Sequence, residues 1–211
     1  MRGRFRLPRI YPLTNTQISG LSHAEQVELL ADGGATLVQL RDKHAPPVEF
    51  YEQAKAALEV ASRRGVQLII NDRVDIALAL GAAGVHLGQD DLPAEAVRRL
   101  LGEDAIIGYS THSLAQIQEA AELPVDYFAI GPIFPTATKE NPDPVVGLEG
   151  VKLARQAIGE SPLVGIGGIS LENARDVIEA GAESVALIHA LLSDPHKIRE
   201  RLQRLLSSQQ P

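Results

Sequence analysis

The chain of 211 residues contains no cysteine, no tryptophan and a single methionine. Without cysteine it cannot form a disulfide framework, a thiolate nucleophile or a Cys-ligated metal site, so any metal must bind oxygen or imidazole ligands. No apolar run approaches the ~20 residues of a membrane span. Nor does the apolar segment of a secretion signal follow the arginine-rich N-terminus. We therefore expect a cytoplasmic protein with no membrane partner.

An excess of positive charge is also missing, since 20 basic residues face 27 acidic ones and the formal net charge is −7. This balance argues against a general nucleic-acid binder, which needs a basic face to neutralise phosphates. With 45% hydrophobic and 22% charged residues, the composition is that of an ordinary soluble globular protein. No linker or composition shift divides the chain. We expect one domain over 10–207, a basic tail at 1–9 and a short tail at 208–211.

Short aliphatic runs alternate with helical patterns along the whole chain. Eight runs are candidate strands: IYPL at 10–13, TLVQL at 36–40, QLII at 67–70, GVHL at 84–87, AIIGY at 105–109, YFAI at 127–130, LVGI at 163–166 and SVALI at 184–188. Capping boxes at Ser22 with Glu25 and at Ser113 with Gln116 begin two of the helices, and Pro93 suits a first helical residue. Such alternation implies parallel strands with right-handed crossovers. The fold class is therefore α/β, most naturally a single-domain (β/α)8 TIM barrel, with an open doubly wound sheet as the alternative.

Polar residues follow the second, third and fourth strands, where the chemistry of a parallel barrel gathers. The stretch LIIND ends in Asn71 and Asp72, which either cap the next helix or serve a ligand. Asp91 follows the next strand, and two carboxylates from neighbouring strands offer the oxygen ligands that Mg²⁺ prefers beside substrate phosphates. Arg41 and Lys43 add two cations. Together these residues suggest a site for Mg²⁺ and a diphosphate.

A second anion site is indicated after the seventh and eighth strands. The run GIGGIS places Gly168 before a helix, where backbone amides can approach a phosphate. His86 is expected to be a satisfied core histidine, and His112 is either a general base or a structural residue beside the Ser113 cap. Two anion sites in one pocket would let a protein join two phosphorylated substrates with loss of diphosphate.

The sequence resembles the thiamine phosphate synthase family. The matching stretches are VQLRDK, LIINDRVDIALALGAAGVHLGQDDLP, IIGYSTHS, DYFAIGPIFPTATK and VGIGGIS, in this order and over nearly the whole chain. The resemblance implies a (β/α)8 barrel that couples hydroxymethylpyrimidine diphosphate to hydroxyethylthiazole phosphate, giving thiamine phosphate and diphosphate. It also implies a dissociative mechanism, in which diphosphate departs before the thiazole nitrogen attacks.

The resemblance assigns roles to residues of this chain by position. It implies Mg²⁺ as the cofactor, with Asp72 and Asp91 as ligands. It implies that Ser110 and Lys139 lie at the reacting centre. The implied contacts to the pyrimidine diphosphate are Gln39, Arg41, Lys43, Asn71, Ser110 and Lys139, and those to the thiazole phosphate are Thr136, Thr138, Gly168, Ile188 and His189.

Two positions depart from the family pattern. His189 stands where the family usually has a serine, and Asn15 where it commonly has an aspartate. The alternatives are a thiazole tautomerase-like enzyme, which shares the thiazole-phosphate pocket but needs no diphosphate site, and a non-catalytic thiazole-phosphate-binding protein. The expected partners are small-molecule substrates, and the sequence leaves a homo-oligomer open.

Overall fold

The computed structural model describes residues 5–136 and 143–208. Eight parallel strands form one sheet in the order β1-β8-β7-β6-β5-β4-β3-β2, and a parallel bridge between Leu13 and Gln39 joins β1 to β2. The strands are β1 (Ile10–Pro12), β2 (Leu37–Leu40), β3 (Gln67–Asn71), β4 (Gly84–Leu87), β5 (Ile106–Thr111), β6 (Tyr127–Ile130), β7 (Leu163–Ile166) and β8 (Ser184–Leu187). The predicted (β/α)8 barrel is confirmed, and the open-sheet alternative is wrong.

Helices follow the strands around the outside of the barrel. Within the described residues they are α1 (Thr16–Ser19), α2 (His23–Asp32), α3 (Pro47–Arg64), α4 (Val74–Leu80), α5 (Ala94–Leu101), α6 (Leu114–Ala120), α7 (Gly147–Ile158), α8 (Ala174–Glu179), α9 (His189–Leu192) and α10 (Ile198–Ser208), with a 3₁₀ turn at Pro195–Lys197. The capping box of Ser22 with Glu25 is complete. Ser113 caps α6, but Gln116 returns to the amide of His112. Pro93 directly precedes α5 and is not its first residue.

Alternation along the strands separates two apolar layers. Val38 and Leu40 belong to the large cluster between sheet and helices, while Leu37 belongs to a smaller cluster inside the barrel. Phe5 and Leu7 pack against this inner cluster, so the described part of the predicted basic tail at 1–9 is in contact with the barrel. At the other terminus, α10 continues one residue into the expected C-terminal tail.

An arginine on α5 ties its helix to two strands. Arg98 donates to the carbonyl of Ala105 at 2.6 Å and to the Asp126 carboxylate at 2.7 Å. The same carboxylate oxygen accepts from the amide of Ile107 at 2.8 Å. Because both charged side chains are largely buried, the pair satisfies backbone groups that water does not reach.

The same arrangement recurs two units further along the chain. Arg155 on α7 donates to the carbonyl of Ser161 at 2.9 Å and pairs with Glu183, whose carboxylate accepts from the amide of Leu163 at 2.7 Å. In both cases a helix arginine binds the segment after its own helix and an acid that directly precedes a later strand. The two (β/α) units that end in these helices therefore share their polar contacts as well as their hydrophobic packing.

Replacing Arg98 with methionine should lower the free energy of unfolding by about 3 kcal/mol, because Asp126 and the carbonyl of Ala105 lose their donor in a site only 10% to 19% exposed. Urea unfolding followed by circular dichroism measures this change. The matched control is Arg175→Met, whose ion pair with Glu179 is 73% and 62% exposed and should contribute less than about 0.5 kcal/mol. Equal losses in the two variants would contradict the proposed structural role of Arg98.

No helix among the described residues is long and apolar enough to cross a lipid bilayer. The cytoplasmic location stays a prediction.

Candidate active site

A cavity of about 950 Å³ opens at the carboxyl ends of the strands. Arg41 and Lys43 line one side of it, and Gly168, Ile188 and His189 line the other. A cavity of this volume accommodates small-molecule ligands. The two anion sites predicted from separate parts of the sequence therefore border one space.

The end of β3 adopts an unusual backbone conformation. Asp72 has a φ of 62°, and no other non-glycine residue in the described ranges has a positive φ. Helix α4 begins two residues later with Arg73 as its N-cap and no side-chain cap hydrogen bond. The capping interpretation of Asn71 and Asp72 is therefore wrong. Strained backbone of this kind costs about 1–3 kcal/mol and persists where the surrounding structure imposes it, often at functional sites.

The carboxylate of Asp72 lies close to that of Asp91, which follows the next strand. Asp72 pairs with Lys43, and Asp91 accepts from the amide of Gly88 at 2.6 Å. Burial, followed by the charge and the hydrogen bonding of Asp72, raises the pKa of Asp91 above its usual range. The pair thus concentrates negative charge that a cation would relieve.

The donor set fits Mg²⁺ that is shared with a substrate. No group of three or more His, Cys, Asp or Glu side chains within residues 5–136 and 143–208 forms a metal-binding cluster. Two carboxylates are nonetheless sufficient when substrate phosphate and water supply the remaining oxygen ligands, as Mg²⁺ prefers. Asp72 and Asp91 are compatible with that arrangement.

The cationic side of the cavity is held by a hydrogen bond to the segment that follows β1. The amide of Arg41 donates to the hydroxyl of Thr14 at 3.3 Å, and this hydroxyl also contacts Nδ1 of the buried His23 at 2.7 Å. Burial lowers the pKa of the Arg41 guanidinium, although Asp72 and Asp42 act in the opposite direction. A partly desolvated cation of this kind binds an anion more strongly than one in water.

A line of hydrogen bonds crosses the inside of the barrel. Gln39 Nε2 donates to the Tyr11 hydroxyl at 3.1 Å, which lies 3.0 Å from the Tyr127 hydroxyl. Tyr127 lies 2.9 Å from His86 Nδ1, and His86 Nε2 lies 2.7 Å from Ser110 Oγ. We call these five residues the interior chain. Burial lowers the pKa of His86 to about 4, so its ring is neutral at physiological pH, and the prediction of a satisfied core histidine is confirmed.

Two of the predicted substrate contacts carry buried polar atoms without a hydrogen-bond partner in the described structure. They are Oε1 of Gln39, a residue only 2% exposed, and Nδ2 of Asn71, which is 6% exposed. Leaving such a group unsatisfied costs about 1–3 kcal/mol. Ligand atoms that pair with them would recover this cost. Neither residue lines the cavity itself, so both lie beneath its floor or wall.

The glycine turn after β7 packs tightly against the loop after β6. Gly168 has a φ of +65°, and a Cβ placed on it would lie 2.6 Å from the carbonyl oxygens of Phe134 and Pro135. A side chain at this position would therefore displace backbone. Thr136 lines the cavity beside this turn. Thr138 and Lys139 lie outside the described residues.

His112 occupies the edge of the cavity and is already hydrogen-bonded. Its Nδ1 lies 2.7 Å from the carbonyl of Gly131, and its amide donates to the side chain of Gln116 at 2.6 Å. These contacts favour the structural interpretation over a general base. Asn15, which departs from the family pattern, caps α1 by accepting from the amide of Ile18 at 3.0 Å. Aspartate caps helices equally well, so this departure leaves the local structure intact.

Fold and site together define a (β/α)8 barrel with a cavity at the carboxyl ends of its strands, lined by two cations on one side and a glycine turn on the other. A family model described as thiamine monophosphate synthase matches residues 10–191. The chain is 43% identical over 208 residues to a thiamine-phosphate synthase of Albidiferax ferrireducens, covering 97% of this chain and 94% of the relative. It is 44% identical over 215 residues to that of Koribacter versatilis, covering 99% and 100%. The chain belongs to the thiamine monophosphate synthase family.

Solved structures agree with this assignment. The thiamine phosphate pyrophosphorylase from Pyrococcus furiosus superposes with a TM-score of 0.82 at 34% identity, over 95% of this chain and 96% of that one. Phosphoribosyl anthranilate isomerase from Thermus thermophilus superposes with a TM-score of 0.65 at 15% identity, covering 95% and 97% of the two chains, and shares the fold alone. The resemblance inferred from the sequence motifs is confirmed.

Proposed function

We propose that the protein joins hydroxymethylpyrimidine diphosphate to hydroxyethylthiazole phosphate, forming thiamine phosphate and releasing diphosphate. Family membership over residues 10–191 supports the reaction. The observation that carries the proposal is geometric: Arg41 and Lys43 border the same cavity as the Gly168 turn, with the carboxylates Asp72 and Asp91 next to Lys43. One cavity thus has room and charge for two phosphorylated substrates.

The diphosphate belongs at the Arg41 and Lys43 side. Asn71 contributes its Nδ2, which has no partner in the described structure, as a donor to the leaving group. Asp72 and Asp91 would hold Mg²⁺, which when bound supplies charge neutralisation for the diphosphate. Lys139 is assigned to the same group by position in the family, although it lies outside the described residues.

The pyrimidine and the reacting carbon belong above the interior chain. Gln39 Oε1, an acceptor without a partner in the described structure, suits an amino group on the pyrimidine. The bond from the methylene carbon to the diphosphate oxygen breaks with both electrons leaving on oxygen, and the thiazole nitrogen then bonds to that carbon. No side chain needs to remove a proton, which agrees with a neutral His86 and a hydrogen-bonded His112. Ser110 and Lys139 are the groups assigned nearest the reacting centre, and their contribution is positioning and charge stabilisation.

The thiazole phosphate belongs at the opposite wall. The backbone amides at Gly168, Ile188 and His189 suit phosphate oxygens, and Thr136 adds a hydroxyl group from the loop after β6. Thr138 is assigned to the same phosphate by position in the family, although it lies outside the described residues. The side chain of His189 is exposed. The replacement of the usual serine is therefore compatible with phosphate binding through the backbone.

The two alternative functions do not account for the charged residues on the Arg41 and Lys43 side of the cavity. A thiazole tautomerase-like enzyme, or a non-catalytic thiazole-phosphate-binding protein, needs the Gly168 turn but not the paired carboxylates and cations. The pairing of Lys43 with Asp72 and the raised pKa of Asp91 favour the synthase.

The deciding experiment follows diphosphate release and thiamine phosphate formation from hydroxymethylpyrimidine diphosphate, with and without thiazole phosphate and with and without Mg²⁺. We expect thiamine phosphate only when both substrates and Mg²⁺ are present. Tight binding of thiazole phosphate by calorimetry, without any product, would move the assignment to the binding protein. Isomerisation of a thiazole carboxylate phosphate without coupling would move it to the tautomerase.

A further inference from the structure

The interior chain connects two proposed substrate contacts through three buried residues that have no proposed contact with a substrate. Gln39 stands at one end and Ser110 at the other, with Tyr11, Tyr127 and His86 between them. The two tyrosines are at most 1% exposed and His86 is 7% exposed. In such surroundings bulk water cannot substitute for a missing partner, so the hydrogen bonds constrain one another.

Only two self-consistent arrangements of protons satisfy every link, because each hydroxyl has one proton and a neutral imidazole has one N–H. In the first, Gln39 Nε2 donates to Tyr11, Tyr11 to Tyr127, and Tyr127 to His86 Nδ1. The N–H then lies on His86 Nε2 and donates to Ser110 Oγ. As a result the Ser110 proton is left for a ligand, and Gln39 Oε1 remains an acceptor without a partner in the described structure.

In the second arrangement every link is reversed. The Gln39 amide is turned over, a change that leaves its shape the same, and Ser110 donates to His86 Nε2. Ser110 then offers a ligand only lone pairs, and Gln39 offers it only N–H groups. The two arrangements therefore show opposite hydrogen-bonding character at both ends.

The diphosphate substrate matches the first arrangement at both of its ends. Its leaving group accepts hydrogen bonds and its amino group donates them. We propose that the interior chain couples these two ends: an anion at Ser110 sets the proton arrangement that makes Gln39 an acceptor, with His86 and Tyr127 as the positioning residues. This inference rests on the proposed function.

Gly108 packs closely against His86 and Tyr127 at the centre of the interior chain. A Cβ on Gly108 would lie 2.1 Å from Cζ of Tyr127 and 2.4 Å from Nδ1 of His86. The rings of His86 and Tyr127 are stacked, with centroids 5.5 Å apart and an interplanar angle of 29°. The absence of a side chain on Gly108 thus reserves the space in which the imidazole meets the phenol, and any larger residue would break that link.

The direct test is the tautomer of His86, read by nitrogen-15 NMR on histidine-labelled protein, with the His86 signals assigned by their loss in His86→Gln. The probe is inorganic diphosphate with Mg²⁺, without the pyrimidine. We expect the proton on Nε2 and an unprotonated Nδ1 in the bound protein. A proton on Nδ1 with diphosphate bound would overturn the coupling, even if the protein makes thiamine phosphate. If the protein makes no thiamine phosphate, the proposed function fails, but the tautomer of His86 still shows which proton arrangement the interior chain adopts.

A variant provides the second readout. Tyr127→Phe removes the donor to His86 Nδ1 and lets Ser110 turn its proton inward, so kcat should fall at least about tenfold, since a displaced donor at a reacting centre has effects of that order or more. The KM for thiazole phosphate should stay unchanged, and the preference for the Nε2 tautomer should be lost. The control is Tyr51→Phe on α3, outside the interior chain, which should retain the kcat of the unaltered protein. An unchanged kcat and tautomer in Tyr127→Phe would contradict a positioning role.

Discussion

Asp91→Asn should lower kcat by at least about 10²-fold, because the side chain keeps its size and its acceptor for Gly88 but loses the charge that a bound cation needs. Asp91 lies beside Asp72, and the two carboxylates raise the free energy of the ionised state at neutral pH. A carboxyl pKa that is raised on folding means that the folded protein holds the proton more tightly than the unfolded chain. Removing this charge should therefore not decrease stability in metal-free buffer at pH 7.

Steady-state kinetics at several Mg²⁺ concentrations, together with urea unfolding, measure both effects. The matched control is Asp90→Asn, since Asp90 is the adjacent residue and is exposed; its kcat and stability should equal those of the unaltered protein. Full turnover of Asp91→Asn at saturating Mg²⁺ would remove Asp91 from the proposed ligands. A loss of stability together with activity would instead indicate a structural role.

The sequence predicts the strands well because their two faces are both covered. Each strand of the barrel is apolar almost throughout and is preceded by a glycine or another turn residue, so its position is visible without tertiary information. The polar residues at the strand ends stand out for the same reason. Arg41, Asp72 and Asp91 interrupt apolar patterns at points that a parallel barrel brings together. In the structure Arg41 and Lys43 line the cavity, Asp72 pairs with Lys43, and Asp91 lies beside Asp72.

The interior chain could not be predicted in the same way. Tyr11 and Tyr127 lie 116 residues apart and meet only because of the strand register and the stagger of the barrel. Each reads in sequence as one more aromatic residue of an apolar strand. The sequence predicts that His86 is a core residue, but its partners depend on the space left by Gly108, which is visible only in three dimensions.

The local conformation at Asp72 shows a different limit. Asparagine and aspartate before a helix usually predict capping, and here the positive φ of Asp72 turns the chain so that Arg73 takes the N-cap position. The strain is invisible in the sequence, since aspartate tolerates the left-handed region better than most residues. Packing of the N-terminal segment is a similar case, because the arginines at positions 4, 6 and 9 conceal two apolar residues that contact the barrel interior.

Gly168→Ala should raise the KM for thiazole phosphate at least about tenfold, with a smaller effect on the KM for the pyrimidine diphosphate. The added Cβ would lie 2.6 Å from two backbone carbonyl oxygens, so the glycine turn and the loop after β6 must separate. The amides proposed to bind the phosphate then move away from it, and a displacement of about 1 Å is enough to weaken such contacts strongly. Steady-state kinetics with each substrate varied in turn measures the two constants.

Gly81→Ala is the control that separates crowding from backbone strain. Gly81 has a φ of +63°, close to that of Gly168, but nothing lies within 4 Å of a Cβ placed on it. Both variants carry the same left-handed strain of about 1–2 kcal/mol, while only Gly168→Ala crowds the turn beside the cavity. Gly81→Ala should lose stability and keep both KM values. If Gly168→Ala behaves in the same way, the turn is a structural feature and the phosphate binds elsewhere in the cavity.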